Sequence, residues 1–301
     1  MTSEMPVGLQ SQAPPDPAQA CKTLWTTAWP SVRFLFQTEI HVYSFAVAAN
    51  LLLTFFPFLV VMIVLCKSVF HWQAGVDVII YSVNDYFPEG FGVNFKGYLL
   101  SAAAQRNFSW LSLVLLFFTA NGIFEPLEVA LNRIWRVKQN RSFLHNQLIG
   151  LGLVFMCGVL VLGSVSVTAL NTHFLTARFS TPQGKAVLQM ILFKIIAFPM
   201  TTLMIFLIYW LLPNIKIPAK RLVAASVSVG VLLEALKYIN ILTWPWLRAK
   251  LIHEVPPFVQ STSIILWAFA GAMVILAGAE WCARATIEAG EEVQPRLTSS
   301  I

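Results

Sequence analysis

The sequence predicts an all-α polytopic membrane bundle of about six transmembrane helices, with both termini in the cytoplasm and an N-terminal interfacial amphipathic helix. Three observations predict it. Of 301 residues 57% are hydrophobic and only 11% charged, against about 25% charged in a soluble chain. Six apolar stretches are each long enough to cross ~30 Å of hydrocarbon. Lys and Arg concentrate in two of the loops between those stretches, which is the signature of membrane topology. Together with a mean hydropathy of +0.70, these features exclude a disordered chain, a disulfide scaffold and a cytosolic enzyme. The cysteines Cys21, Cys66, Cys157 and Cys282 lie far apart and read as buried thiols rather than a disulfide or metal framework.

Residues 1–20, rich in Pro, Gln and Ala, read as a disordered cytoplasmic tail and lack the basic and apolar regions of a signal peptide. Residues 21–40 are too polar to span. Trp25, Trp29, Val32 and Phe36 nevertheless recur at helical spacing, with Lys22, Arg33 and Glu39 between them. That pattern predicts a helix lying in the interface with its tryptophans at headgroup level. The membrane domain covers 41–285, with spans near 44–66, 109–131, 147–170, 187–212, 219–242 and 259–282, and 286–301 forms a cytoplasmic tail. Between the first two spans, region 67–108 is polar. Val76, Ile79, Ile80 and Val83 predict a short amphipathic helix within it rather than a further span.

Orientation follows from charge. Arg133, Arg136, Lys138 and Arg141 fill the loop after span two, and Lys216, Lys220 and Arg221 the loop between spans four and five. The positive-inside rule makes these seven a cytoplasmic basic rim. Anionic lipid headgroups and topology explain the rim more simply than recognition of a soluble phosphate or of nucleic acid.

Polar residues at membrane depth mark candidate sites, because they are expensive there and face a protein interior, a water-filled cavity or a partner. In span two, Asn121, Glu125, Glu128 and Asn132 step by helical intervals along one face, and Pro126 frees the carbonyl of Gly122. They line a polar pocket or, for Glu128 and Asn132, pair with Arg133 or Arg136 at the interface. In span five, Glu234 and Lys237 are one turn apart. The short Pro213–Pro218 connection makes spans four and five antiparallel neighbours and brings Lys194 near the depth of Glu234. A buried Lys194–Glu234 pair, or a triad with Lys237, is one expectation; snorkelling of both lysines to the headgroups is the other. In span one, Thr54 is expected to bond back to the carbonyl of Asn50. Pro57, Pro126 and Pro199 are the expected helix kinks, and Ser226, Gly230, Ala268, Ala272, Gly271 and Gly278 suit close helix crossings.

No Walker loop, nucleophile elbow or zinc-protease pair occurs, and the five histidines are scattered. The sequence therefore implies no metal, cofactor or catalytic residue. Its expected partners are membrane lipids, anionic ones among them, with no nucleic acid; the oligomeric state stays open.

Several segments together resemble one family. Ala46 to Pro57 continuing into Phe58, then Leu131-Asn132-Arg133-Ile134-Trp135-Arg136-Val137 with Arg141-Ser142-Phe143, then Tyr209 to Pro213-Asn214 and Pro218, then Leu266-Trp267 and Gly278-Ala279-Glu280 are similar, in that order, to signatures of the YihY / virulence factor BrkB family. The likeness covers about 40–285, departing at Asn50, which lacks the following Tyr of many members. It implies a multi-pass protein of the bacterial inner (plasma) membrane. The family's activity is not established; its legacy name, ribonuclease BN, gets no support from these residues. Intramembrane charges and proline-interrupted helices point instead to a non-enzymatic transporter or lipid- and amphiphile-handling protein supporting envelope integrity. The alternatives are a structural or scaffolding protein and, behind it, a membrane-bound enzyme.

Overall fold

The structure is a computed structural model. It describes residues 29–31, 33–64, 66–67, 71–73, 75–77, 79–80, 97, 101, 110–137, 141–176, 198–255, 258–289 and 294–295. Trp25, Val32, Lys138 and Lys194, like the tails 1–20 and 296–301, lie outside the described residues.

Among the described residues six long helices carry the fold. They are α1 (Thr38–Val64), α2 (Trp110–Ile134), α3 (Phe143–Thr176), α4 (Phe198–Leu211), α5 (Ala219–Glu254) and α6 (Val259–Glu288). Each overlaps one apolar stretch of the sequence, because an apolar segment in lipid must satisfy its backbone internally and a helix does so within one segment. Three helices are long and apolar enough to cross a membrane among the described residues: α5, and the segments Thr38–Phe55 of α1 and Ser261–Glu288 of α6. Leu144–Leu160 and α4 are shorter apolar helices.

Two ends differ from expectation. The chain turns at Phe36 and Gln37, so the helical residues 29–31 and 33–35 are separate from α1, and Glu39 belongs to the first turn of α1. α5 runs on well past residue 242, to Glu254. At ~1.5 Å per residue its 36 residues make a rod of about 54 Å, much longer than the hydrocarbon core. Pro57, Pro126 and also Pro245 sit inside continuous helices.

α1 packs between α2 and α6, α5 lies along α6, and α3 rests on α2. Tyr209 of α4 donates to the carbonyl of Ile275, fixing α4 on α6. Leu131, Leu153, Ile205, Leu212, Leu222 and Leu276 form a fully buried core shared by α2 to α6. A second cluster at the far end joins Leu59, Ile63 and Cys66 to Ile264 and to Val76 and Ile79 of the connecting region. Val76 and Ile79 thus turn an apolar face onto α1, as their spacing predicts; Val83 lies outside the described residues.

Small residues set the crossings. Asn50 packs directly on Gly122, where α1 meets α2. Thr202 of α4 packs on Gly230, and Val229 and Tyr209 pack on Gly278. Without a hydrophobic drive between helices in lipid, close backbone approach supplies the contact energy. The outer surface is correspondingly apolar: Val231, Leu242 and Trp246 of α5 point outward, Leu242 with 81% of its surface exposed.

One end of the bundle collects the basic loops. The start of α1, the end of α2, the start of α3, the α4–α5 turn and the end of α6 meet there. Ile215–Lys216 (β1) also pairs antiparallel with Gln294–Pro295 (β2).

Candidate functional site

At this basic end α2 delivers its polar stripe. Glu128 and Asn132 are buried, Glu125 is exposed, and the side chain of Asn121 lies outside the described ones. Asn132 donates through Nδ2 to Glu128 Oε1 at 3.4 Å and accepts the backbone N–H of Asn214 at 2.9 Å. Asn214 follows Pro213, which stops α4 at Leu211 and leaves the last carbonyls of that helix without intrahelical donors. Arg141 supplies the donors. Its Nε reaches Asn214 Oδ1 at 3.1 Å, Nη1 the carbonyls of Leu211 and Leu212 at 3.0 and 3.4 Å, and Nη2 that of Pro213 at 3.1 Å.

This corrects the place of Arg141 in the basic rim. It is 7% exposed and acts as an internal tie, because a helix C-terminus is a partial negative charge that a guanidinium fork satisfies better than water does. Arg133, Arg136, Lys216 and Lys220 are exposed and Arg221 is half-buried, so the remaining described members stay on the surface. Nor do Glu128 and Asn132 pair with Arg133 or Arg136: Asn132 turns inward to the α4–α5 turn. Glu125 and Glu128 border a cavity of only about 30 Å³ with Asn146, Ile149 and Leu212, the space of one water molecule. Among the described residues the stripe therefore organises the helix ends and borders this small cavity.

A larger cavity, about 350 Å³, opens beside it between the segment preceding α1, α1, the end of α2 and the end of α6. Five charged residues line it. Glu39 accepts from Arg133 Nη2 at 2.6 Å, and Glu280 accepts from Arg284 Nε at 2.9 Å. Ser31 bridges the second pair, donating to Glu280 Oε2 at 2.5 Å and accepting from Arg284 Nη2 at 2.7 Å. The fifth is Arg136. Ile40, Ile134 and Ile287 add an apolar wall, and Tyr43 lies alongside. A volume at the lower end of the ~300–1,000 Å³ range of ligand pockets suits a small polar group with an apolar continuation.

The backbone at Arg136 is unusual. α2 ends in a Schellman turn, with Val137 N–H bonded to Asn132 O at 2.8 Å and Arg136 N–H to Arg133 O at 3.0 Å. Arg136 takes the left-handed position with φ +54°, where glycine is preferred and other residues are strained by ~1 kcal/mol. Glu280 and Arg284 escaped the sequence reading as site residues. Their signal was a four-residue Glu–Arg spacing in the last turns of α6, which needed the distant Arg133 and Arg136 to become a pocket.

Farther along the bundle, Lys237 pairs with Glu234 at 3.7 Å, the two side chains 12% and 27% exposed; Lys194 lies outside the described residues. Among the described residues, the buried Oδ1 of Asn240 and indole N–H of Trp244 on α5, and the Oγ of Ser263 and indole N–H of Trp267 on α6, have no hydrogen-bond partner. Thr54 bonds to the Asn50 carbonyl at 2.8 Å, as expected, and Asn50 to that of Ala46. Pro199 is exposed and borders an apolar groove of about 440 Å³ between α4 and α5.

A family model described as Virulence factor BrkB matches residues 33–299. The chain belongs to the virulence factor BrkB family. The matched region of this BrkB-family chain takes in Arg136, Arg141, Asn214 and Glu280, and so most of the basic end. Curated relatives are membrane proteins named UPF0761. One from Psychrobacter sp. (strain PRwf-1) is 27% identical over 250 residues, covering 81% of this chain and 45% of the relative. One from Acinetobacter baylyi is 26% identical over 199 residues, 64% of this chain and 45% of its own. One from Pseudomonas aeruginosa is 27% identical over 204 residues, 64% of this chain and 46% of its own. The chain thus spans somewhat less than half the length of these relatives. No solved structure matches it.

Proposed function

We propose that this BrkB-family membrane protein is a non-enzymatic, multi-pass protein of the bacterial inner membrane that binds and moves lipids or related amphiphiles and so supports envelope integrity. The observation that carries this reading is the 350 Å³ cavity at the basic end, where arginines and carboxylates share a wall with isoleucines. An amphiphile needs such a mixed lining: charge for its head, apolar surface for the first part of its tail. Six spans with both termini and the basic end in the cytoplasm fit the charge asymmetry of the loops.

Native mass spectrometry of the protein in mild detergent tests it, comparing wild type with Arg133→Ala/Arg284→Ala and with Glu234→Ala. The expected result is a discrete co-purifying lipid in wild type, depleted in the double variant while the protein stays folded. Reconstituted vesicles should show lipid movement that Glu234→Ala slows. Bulk phospholipid retained equally in all three, with unchanged flux, favours the scaffolding reading, in which Glu234–Lys237 and the Ser31–Glu280–Arg284 bridge act only as internal ties.

A further inference from the structure

We infer that the 350 Å³ cavity is a phosphate site, with Arg136 as the counter-ion of a singly or doubly charged phosphoryl group; the inference deepens the amphiphile reading and rests on it only for the source of that phosphate.

Charge balance comes first. Both carboxylates of the cavity are already matched, Glu39 by Arg133 at 2.6 Å and Glu280 by Arg284 at 2.9 Å. Arg136 meets no carboxylate among the described residues, whose lining of the cavity sets three guanidinium groups against two carboxylates. A cavity with a matched lining would attract nothing in particular; this one suits an anion.

Donor geometry narrows the class. A guanidinium presents five N–H donors in a planar fork, and three guanidinium groups border the one cavity. Glu39 engages Nη2 of Arg133, and Glu280 and Ser31 engage Nε and Nη2 of Arg284. A carboxylate offers two acceptor oxygens, whereas a phosphate monoester offers three, and bidentate arginine contact to phosphate is a strong charge-assisted arrangement. Ile134 and Ile287 beside the arginines accommodate carbon next to the phosphoryl group.

Backbone geometry adds an independent reason. Arg136 holds φ +54° at a helix-ending position that glycine would occupy without strain. Strain of this kind persists at sites where the side chain is needed, and Arg136 is one of the residues lining the cavity.

The test uses the full chain in nanodiscs of phosphatidylcholine, with short-chain phosphatidic acid and, separately, inorganic phosphate as probes. Wild type should bind the phosphatidic acid, and Arg136→Gln should weaken it about tenfold or more. Arg136→Lys, a point charge without the fork, should fall between them. Arg136→Gly is decisive: it removes strain, so thermal stability should rise or hold, while phosphate binding falls. Equal binding in wild type and Arg136→Gly, with both folded, overturns the assignment. Competition by inorganic phosphate makes the source a soluble phosphate; none makes it a lipid headgroup, and either supports the site. Phosphatidylcholine retained as strongly as phosphatidic acid, with no dependence on Arg136, leaves the amphiphile reading standing and removes this one. Binding of inorganic phosphate through Arg136 without any retained lipid does the reverse.

Discussion

Arg141 donates its Nε to Oδ1 of Asn214 at 3.1 Å, joining the start of α3 to the turn that ends α4. The same guanidinium reaches the carbonyls of Leu211 and Pro213, and Asn132 closes the far side by accepting the Asn214 N–H at 2.9 Å. Three helix ends are therefore tied through one asparagine. The cavity lined by Arg133 and Arg136 lies just beyond the same end of α2, so this tie positions the wall on which the proposed ligand rests.

Replacing Arg141 with Ala should cost roughly 2–4 kcal/mol, since it strands several buried acceptors at once. Arg141→Lys should recover only part of this, because one ammonium cannot serve an amide oxygen and three carbonyls in a fork. Unfolding followed with a thiol-reactive dye suits the chain, as Cys66 and Cys282 are buried and Cys157 is half-buried. A midpoint unchanged in Arg141→Ala would show that the tie adds no stability.

Gly278 should tolerate no side chain. A Cβ there would run into Cγ2 of Val229 and crowd the Tyr209 hydroxyl, so Gly278→Ala must push side chains of α5 and α4 away from α6. The expected loss is about 1–3 kcal/mol, read from the same dye assay. Gly152→Ala is the control, with open space around the position, and should lie near wild type.

The Glu234–Lys237 pair gives a double-mutant cycle. Lys237→Met alone leaves Glu234 without its partner in an apolar setting, and should destabilise by about 2–3 kcal/mol, below the ~3–5 typical of fully buried pairs because Glu234 is 27% exposed. Glu234→Gln with Lys237→Met should be restored to near wild type. If the double variant is instead folded but loses lipid movement, the pair belongs to a transport route. A double variant that keeps both stability and an envelope phenotype marks it as internal glue.

The helical class, the position of the apolar segments and the small-residue crossings were legible in the sequence, because each depends on local composition and spacing. An apolar stretch in lipid has to close its own backbone hydrogen bonds, and Thr54 can reach the carbonyl one turn back wherever its helix goes. The same logic located Glu128 and Asn132 on one face of α2. It could not say that they turn toward Asn214, 82 residues away.

What the tertiary structure alone decided is which charges meet. By spacing, Arg141 looked like one more basic residue beside a membrane; packing against the end of α4 made it a buried tie. Glu39, Arg136, Glu280 and Arg284 come from three helix ends that no periodicity connects, and only their convergence makes a cavity. Helix formation is dictated by neighbours in the chain, whereas the energy of a charge is dictated by whatever stands within a few ångströms of it, and that is settled only when the helices pack.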